Sequence, residues 1–351
     1  MSGIETAVYA VLAFIFGSII GSFLNVVILR TPKKESIITE PSHCFSCGHR
    51  LAWYDMFPIF SWIFLRGRCR YCKSKISPRY MIIEAATAVL YCLSFLSFRF
   101  IWDGNVWKLV FSAVLFPILI VLSAIDIDCF EIPYWCSISI AVLGAASFLL
   151  FPDEIVWYER LIAFGIVLVL FAIMVLIGGM GGGDLQLMCG AALLLGYKVF
   201  IALFIGILFG AVYGVIKKFR DKKVERVVSH TIKGIAEKWY QNQLDREIGF
   251  VMDGRDDVIV GSISEGNPDI EWEFLEEKVW KGLPDKAELS QTLREKIKDE
   301  REGGFRIYIK GDKVEKVKYS RRMVFGPFLS LGIAAAGLVG SFIMNWYTSL
   351  L

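Results

Sequence analysis

The sequence predicts an all-α polytopic membrane protein: about eight transmembrane helices, a cytoplasmic four-cysteine zinc loop, and a small inserted cytoplasmic α+β domain. Three observations carry that expectation. Apolar residues make up 55% of the 351, with a mean hydropathy of +0.54. They gather into eight runs, at 7–29, 79–98, 107–125, 134–151, 160–178, 185–197, 199–216 and 324–345, most of them near the ~20 residues that cross a bilayer. Charge is segregated from them. Residues 217–322 hold 24 Lys+Arg and 22 Asp+Glu, and 10 of the 14 basic residues left over lie between Arg30 and Arg79. Helices are the expected spanning form, because a helix pairs its own backbone polar groups away from water.

The positive-inside rule puts 30–79 and 217–322 in the cytoplasm. No Lys or Arg precedes Arg30, which argues against a cleaved signal peptide and for a first helix that stays. Threading eight spans from an outside N-terminus places the loops after residues 125 and 178 inside as well. Five segments follow: a first span (1–30), a zinc-binding loop (31–79), a transmembrane core (80–216), an insertion (217–322) and a last span (323–351). The lipid bilayer is one partner; the formal charge of +3 names no other, and no nucleic acid is expected.

Along the first span, Gly17, Ser18, Gly21 and Ser22 share one helical face and would let a neighbouring helix pack closely. Asn25, an amide in hydrocarbon, is read as an interhelical hydrogen-bonding group. The loop then carries Cys44-Phe-Ser-Cys47 and Cys69-Arg-Tyr-Cys72 with 21 residues between the pairs. Two such knuckles match the spacing of a closed, structural four-thiolate zinc site; redox-active thiols and unligated cysteines are the other readings. A cytoplasmic location disfavours stable disulfides. His43 and His49 flank the first knuckle without being expected ligands. Trp53–Asp55 and Phe57–Trp62 read as an aromatic segment at the membrane interface. Cys92, Cys129, Cys136 and Cys189 stand singly and are assigned no function. Glu84, one turn into the second span, either favours the helix N-terminus or contacts a substrate or cofactor.

The third span ends Ala124-Ile125-Asp126-Ile127-Asp128, and Gly178-Gly179-Met180-Gly181-Gly182-Gly183-Asp184 interrupts the apolar run from Leu161 to Leu195. A carboxylate at membrane depth is costly and is a functional-site hypothesis by default. Glycines without Cβ atoms let another chain approach closely. Asp184 alone could be the N-cap of the next helix. With Asp126 on the same side of the membrane it forms a pair, and two aspartates sharing a proton can activate water.

Taken together these residues resemble the type IV prepilin peptidases, bifunctional leader peptidases and N-methyltransferases. The matching pieces are Gly21–Arg30, the two knuckles with Leu51–Leu65 between them, Arg66–Arg70, Ile76–Tyr80, Glu84, Asp126 with Ile132-Pro133, Gly181–Asp184 and Phe325–Leu329. The resemblance implies that Asp126 and Asp184 are the catalytic pair of a glycine-x-glycine-aspartate intramembrane protease in the bacterial inner membrane. The Ile-Pro spacing selects Asp126 over Asp128. Family members cleave the basic leader of type IV prepilins or pseudopilins after a glycine, on the cytoplasmic side. Many then methylate the new N-terminus with S-adenosylmethionine; a peptidase without that second activity is the alternative. No cofactor motif is visible in the sequence, so the methyl donor's site is not located. A proton-coupled transporter is the rival class, and the inverted repeats it calls for are not found.

One departure from compact family members is the insertion. Val228–Arg246 and Asp285–Glu302 read as helices, and Phe305–Lys310, Gly311-Asp312 and Lys313–Tyr319 as a β-hairpin. Its expected role is that of a solvated appendage, or else of a dock for prepilin or for pilus or secretion assembly proteins.

Overall fold

The computed structural model describes residues 2–350 apart from Thr39, Phe130, 151–155, 178–179, 241–247, 253–257, 263–272, 275–302, 311–312 and 322–323, with backbone only for 220–321 and 341–350. The chain divides into two compact units, Met1–Gly210 with Val324–Leu351, and Ala211–Met323.

The first unit is helical. Helix α1 spans Gly3–Arg30, α2 Phe60–Phe64, α3 Arg79–Phe100, α4 Val106–Cys129, α5 Tyr134–Leu150, α6 Trp157–Leu176 and α7 Gly182–Leu195; α8 begins at Lys198, and the last helix, α9, spans Gly326–Leu350. Among the described residues, five stretches are long and apolar enough to cross a membrane: α1, α3, α4, α6 and Lys198–Phe219 of α8. Three shorter apolar helices, α5, α7 and Gly326–Gly340 of α9, complete the eight expected runs. Several apolar helices of this kind fit a multi-pass membrane protein. The outward apolar side chains agree: Phe204 is 69% and Leu176 86% exposed, as suits surfaces facing lipid.

A capping box starts α1. The Ser2 hydroxyl accepts the Glu5 N–H, and the Ser2 N–H donates back to the Glu5 carboxylate, satisfying two groups that a helix start would leave unpaired. The small-residue face of α1 then meets α3. A Cβ on Gly17 would lie 2.9 Å from the Ala88 Cα, and one on Gly21 2.7 Å from the Glu84 Cα. Asn25 donates across the same seam to the Tyr80 carbonyl at 3.1 Å, the interhelical bond expected of it. Gly21→Val should force these backbones apart and cost about 1–3 kcal/mol, visible as a lower unfolding midpoint in detergent.

Helix α4 packs against α1, α3, α5 and α9, and α7 against α5, α6 and α9. Leu187, Met188, Ala191 and Ala192 of α7 are all fully buried. A helix apolar all round belongs inside a bundle, which explains how a span too short to cross alone holds a central place. Arg160, also buried, is held by Ser147 and the Gly144 and Leu193 carbonyls and lies over the Phe148 ring.

The second unit contains a five-stranded antiparallel sheet. Strands β1 (Ile248–Met252), β2 (Val258–Ser262), β3 (Glu273–Phe274), β4 (Gly303–Lys310) and β5 (Lys313–Arg321) lie in the order β3-β2-β1-β4-β5. The expected hairpin is β4–β5, in register from Gly303↔Arg321 to Lys310↔Lys313 with a shift between Tyr308 and Ile309. Its turn, Gly311-Asp312, lies outside the described residues, as does the helix expected over Asp285–Glu302. The helix expected over Val228–Arg246 is present as far as Tyr240, as the continuation of α8, which runs unbroken from Lys198 because no glycine or proline falls between Val215 and Lys233 to interrupt it; residues 241–246 lie outside the described ones.

Candidate active site

Asp126 and Asp184 come together where α4 ends and α7 begins. Asp126 lies in the last turn of α4 and is 6% exposed; Asp184 lies in the first turn of α7 and is 9% exposed. Ile132 links them, lying against Gly183 beside Asp184 and against Gly326, whose N–H reaches Asp126. The N-cap reading of Asp184 is corrected: Gly181 occupies the N-cap position, and the Asp184 N–H donates to its carbonyl at 3.2 Å. Asp184 thus stands inside the helix start, where the positive end of the helix dipole favours an anion.

The far end of the chain supplies what Asp126 needs. At the first residue of α9, the Gly326 N–H donates to Asp126 Oδ2 at 3.0 Å, so an N–H that a helix start leaves over is spent on the carboxylate. A Cβ at Gly326 would stand 2.5 Å from that same oxygen. Ile132 closes the arrangement. Its Cβ is 2.9 Å from where a Gly183 Cβ would be, and its Cδ1 3.4 Å from that of Gly326. The isoleucine before Pro133 is therefore a wedge between α7 and α9, and the two glycines are what let it in.

Asp128 is committed elsewhere. Arg79, the first residue of α3, pairs with it at 2.6 Å and also donates to the Ala124 carbonyl at 3.1 Å. Neither Gly326 nor Arg79 was singled out from the sequence for such a role. Only the family-like Phe325-Gly326-Pro327 hinted at the first.

The cysteine loop forms a second site. The sulfurs of Cys44, Cys47, Cys69 and Cys72 all lie within 4.8 Å of one another, a set that can hold a metal ion. The knuckles are built alike. The Cys44 N–H donates to the His49 carbonyl and the Gly48 N–H to the Cys44 carbonyl; the Cys69 N–H donates to Ser74 and the Lys73 N–H to Cys69. Gly48 and Lys73 both take a left-handed backbone, with φ of 69° and 61°. Short bridges, His43↔Arg50 and Arg68↔Lys75, close each knuckle. The donor set fits zinc: tetrahedral Zn–S bonds of ~2.3 Å require sulfurs ~3.8 Å apart, and Cys44 and Cys72 are 3.8 Å apart. Backbone N–H groups of Cys47 and Ser46 bring the Cys44 thiol down to about 6. At Cys47 the His49 N–H pulls the same way, but desolvation and the Cys44 and Cys72 sulfurs push it up to about 11. Four thiolates this close repel unless a cation sits among them. His43 and His49 take no part; His49 stacks on Tyr71 with centroids 3.6 Å apart.

Two side chains fasten this loop. Asp55 accepts from Arg70 at 2.6 Å and from Tyr71 at 3.0 Å. Although burial opposes it, these bonds hold its carboxyl below the usual range. Glu84 accepts the Ile59 N–H at 2.7 Å, making it a tether from α3 to the loop rather than a charge favouring the helix start. The aromatic segment becomes a 3-10 turn at Trp53–Asp55 followed by α2.

The family profile described as Bacterial Peptidase A24 N-terminal domain matches residues 15–98, and Type IV leader peptidase family matches 113–215. A prepilin leader peptidase/N-methyltransferase of Bacillus subtilis is 33% identical over 204 residues, 57% of this chain and 80% of that protein. The chain belongs to the type IV leader peptidase family. One of the same name from Myxococcus xanthus is 42% identical over 146 residues, 41% of each chain. A type 4 prepilin-like proteins leader peptide-processing enzyme of Escherichia coli is 39% identical over 140 residues, 35% of this chain and 50% of its own. The chain therefore spans about half or less of those two relatives. No solved structure matches it. The first profile covers the knuckles and the second both aspartates, so the family's two parts coincide with the two sites.

Proposed function

We propose that this protein cleaves the basic leader from type IV prepilins or pseudopilins and then methylates the new N-terminus. The observation that carries the reading is the Asp126–Asp184 pair, buried at one end of the bundle and fed by two helix N-termini. One aspartate, ionised, takes a proton from water as it attacks the scissile carbonyl; the other, protonated, gives one to the carbonyl oxygen. By the charge distribution the pair faces the cytoplasm of a bacterial inner membrane, where a basic leader is retained.

Zinc, held by Cys44, Cys47, Cys69 and Cys72, fills a closed coordination shell and gives the loop its fold rather than any reactivity. S-adenosylmethionine supplies the methyl group. The released amine, once it has given its proton to water, forms the new N–C bond as the C–S bond of the donor breaks and sulfur keeps the electron pair. A prepilin with a short basic leader, reconstituted in membranes with the protein and donor, tests the reading. Leader loss and a new N-terminus heavier by one methyl are expected. Leader loss without the added mass would leave the peptidase alone, and no cleavage would overturn the proposal.

One zinc per chain is expected, and Cys47→Ser should lose it and expose the loop to protease. Elemental analysis finding less than about a tenth of an equivalent in the unaltered protein would contradict this. The insertion, 217–322, is proposed to be an appendage to the chemistry. Replacing 222–318 by a Gly/Ser linker should leave leader cleavage within about threefold, since Lys217–Arg220 and Arg321-Arg322 still anchor the flanking helices. A folded but inactive truncation would make it a substrate dock.

A further inference from the structure

At the end of the bundle opposite the aspartates, α4 begins and α7 stops around a cavity of about 100 Å³. Lys108, Arg160 and Lys198 all line it, together with Trp102, Ser112 and Ser147. Outside 30–79 and 217–322 the sequence has four basic residues, Arg99, Lys108, Arg160 and Lys198, and three of the four meet here. Basic residues of membrane proteins gather on the cytoplasmic side, which the charge distribution gives to the aspartate end, so three around one small space at the far end call for an anion. From this we infer that the cavity holds the phosphate of an anionic membrane phospholipid, whose acyl chains lie outside against the neighbouring helices.

The surroundings of the three cations point the same way. Arg160 is 1% exposed. Ser147, the Gly144 and Leu193 carbonyls and the Phe148 ring hold its guanidinium, which makes it a fixed positive charge in the wall. Lys108 stands in the first turn of α4, and Lys198 is the first residue of α8. A helix dipole disfavours a cation at either place and favours an anion. An anion held between the two helix starts reconciles the lysines with the backbone they sit on. The Lys198 stem also lies along α9, its Cδ 3.4 Å from where a Cβ on Gly340 would be.

Depth and size suit a lipid headgroup. Trp107, Trp157 and Tyr158 are exposed in the first turns of α4 and α6 at this same end, as aromatic residues at a membrane interface are. Val110 and Val114 continue the exposed side of α4 toward the bilayer centre, an apolar path for an acyl chain. Sites for whole small molecules run to ~300–1,000 Å³; this one takes a phosphate and leaves the rest of the ligand outside. Basic pockets between transmembrane helices bind phospholipid headgroups in this way. Because α4 and α7 carry the two aspartates and both reach the cavity with their other ends, the bound lipid braces the helices that hold the pair.

Native mass spectrometry and thermal unfolding of the full-length protein in neutral detergent test the assignment, with phosphatidylglycerol, phosphatidylethanolamine or inorganic phosphate as titrant. One phosphatidylglycerol per chain should bind saturably and raise the unfolding midpoint. Phosphatidylethanolamine, with an amine beside its phosphate, should bind at least about fivefold more weakly, and inorganic phosphate should not displace the lipid. Lys108→Gln and Lys198→Gln should each weaken phosphatidylglycerol about fivefold and together about 25-fold, while Lys198→Arg stays within about twofold of wild type. Arg99→Gln removes a charge at the same end but outside the cavity, and should also stay within about twofold. A photoactivatable phosphatidylglycerol should label wild-type peptides within 102–116 or 194–198, and this arm decides the matter if a lysine variant does not fold. Wild-type affinity in the folded double variant, an equal loss in Arg99→Gln, or labelling elsewhere would overturn the cavity as the site. Inorganic phosphate binding as tightly as the lipid would overturn the lipid as its occupant. None of these readouts uses cleavage or methylation, so the outcome is independent of the function proposed above.

Discussion

Gly326→Val is expected to lose leader cleavage by ~10²-fold, the cost of misplacing a reacting group by about 1 Å, although residue 326 lies 200 positions from the aspartate it serves. The new Cβ would begin 2.5 Å from Asp126 Oδ2 and 3.4 Å from Ile132 Cδ1. The carboxylate must turn away or the start of α9 must retreat, and in either case the Gly326 N–H bond at 3.0 Å is lost. Gly326→Ala carries the same first atom and should fall in the same direction by a smaller factor. The measurement is the rate of leader loss beside the unfolding midpoint. Substantial cleavage by a folded Gly326→Val protein would mean that α9 is a bystander.

That contact explains why the site was legible in part. The intramembrane aspartates announce themselves by cost: a carboxylate amid apolar residues has to be explained, and two on the same side explain one another. The knuckles announce themselves by spacing. Gly326 sends no such signal, because its contribution is a backbone N–H and the lack of a side chain. Ile132 looks like any apolar residue until Gly183 and Gly326 are seen against it. Glu84 reads from the sequence as a charge favouring its own helix start or as a substrate or cofactor contact, since nothing local reveals a tether to a backbone 25 residues earlier. The helical runs were legible from hydropathy to within a few residues. Strands β1 and β2 were not read, because Ile248–Met252 and Val258–Ser262 are short apolar runs with little alternation, which periodicity alone does not separate from helix. The continuity of α8 was missed because the charge change near Lys217 marks where lipid would end, and a helix need not end there too.

The central claim is that Asp126 and Asp184 act as one proton-sharing pair. Asp126→Asn and Asp184→Asn should each lower cleavage on the order of 10⁴-fold, keeping the shape of the side chain while removing its capacity to exchange a proton. Because the chemistry needs one ionised and one protonated member, neither acid substitutes for the other. The double variant should be no slower than either single one, as for residues that act as a unit. Asp128→Asn breaks only the Arg79 pair and should retain most activity. A substrate already cleaved should still be methylated by both inactive variants, which separates loss of chemistry from loss of fold. The most direct test is leader removal from a reconstituted prepilin by Asp184→Asn, followed by mass spectrometry over many turnover times of the unaltered protein. The expected result is intact prepilin throughout. Cleavage at a rate near that of the unaltered protein would contradict the aspartate pair outright.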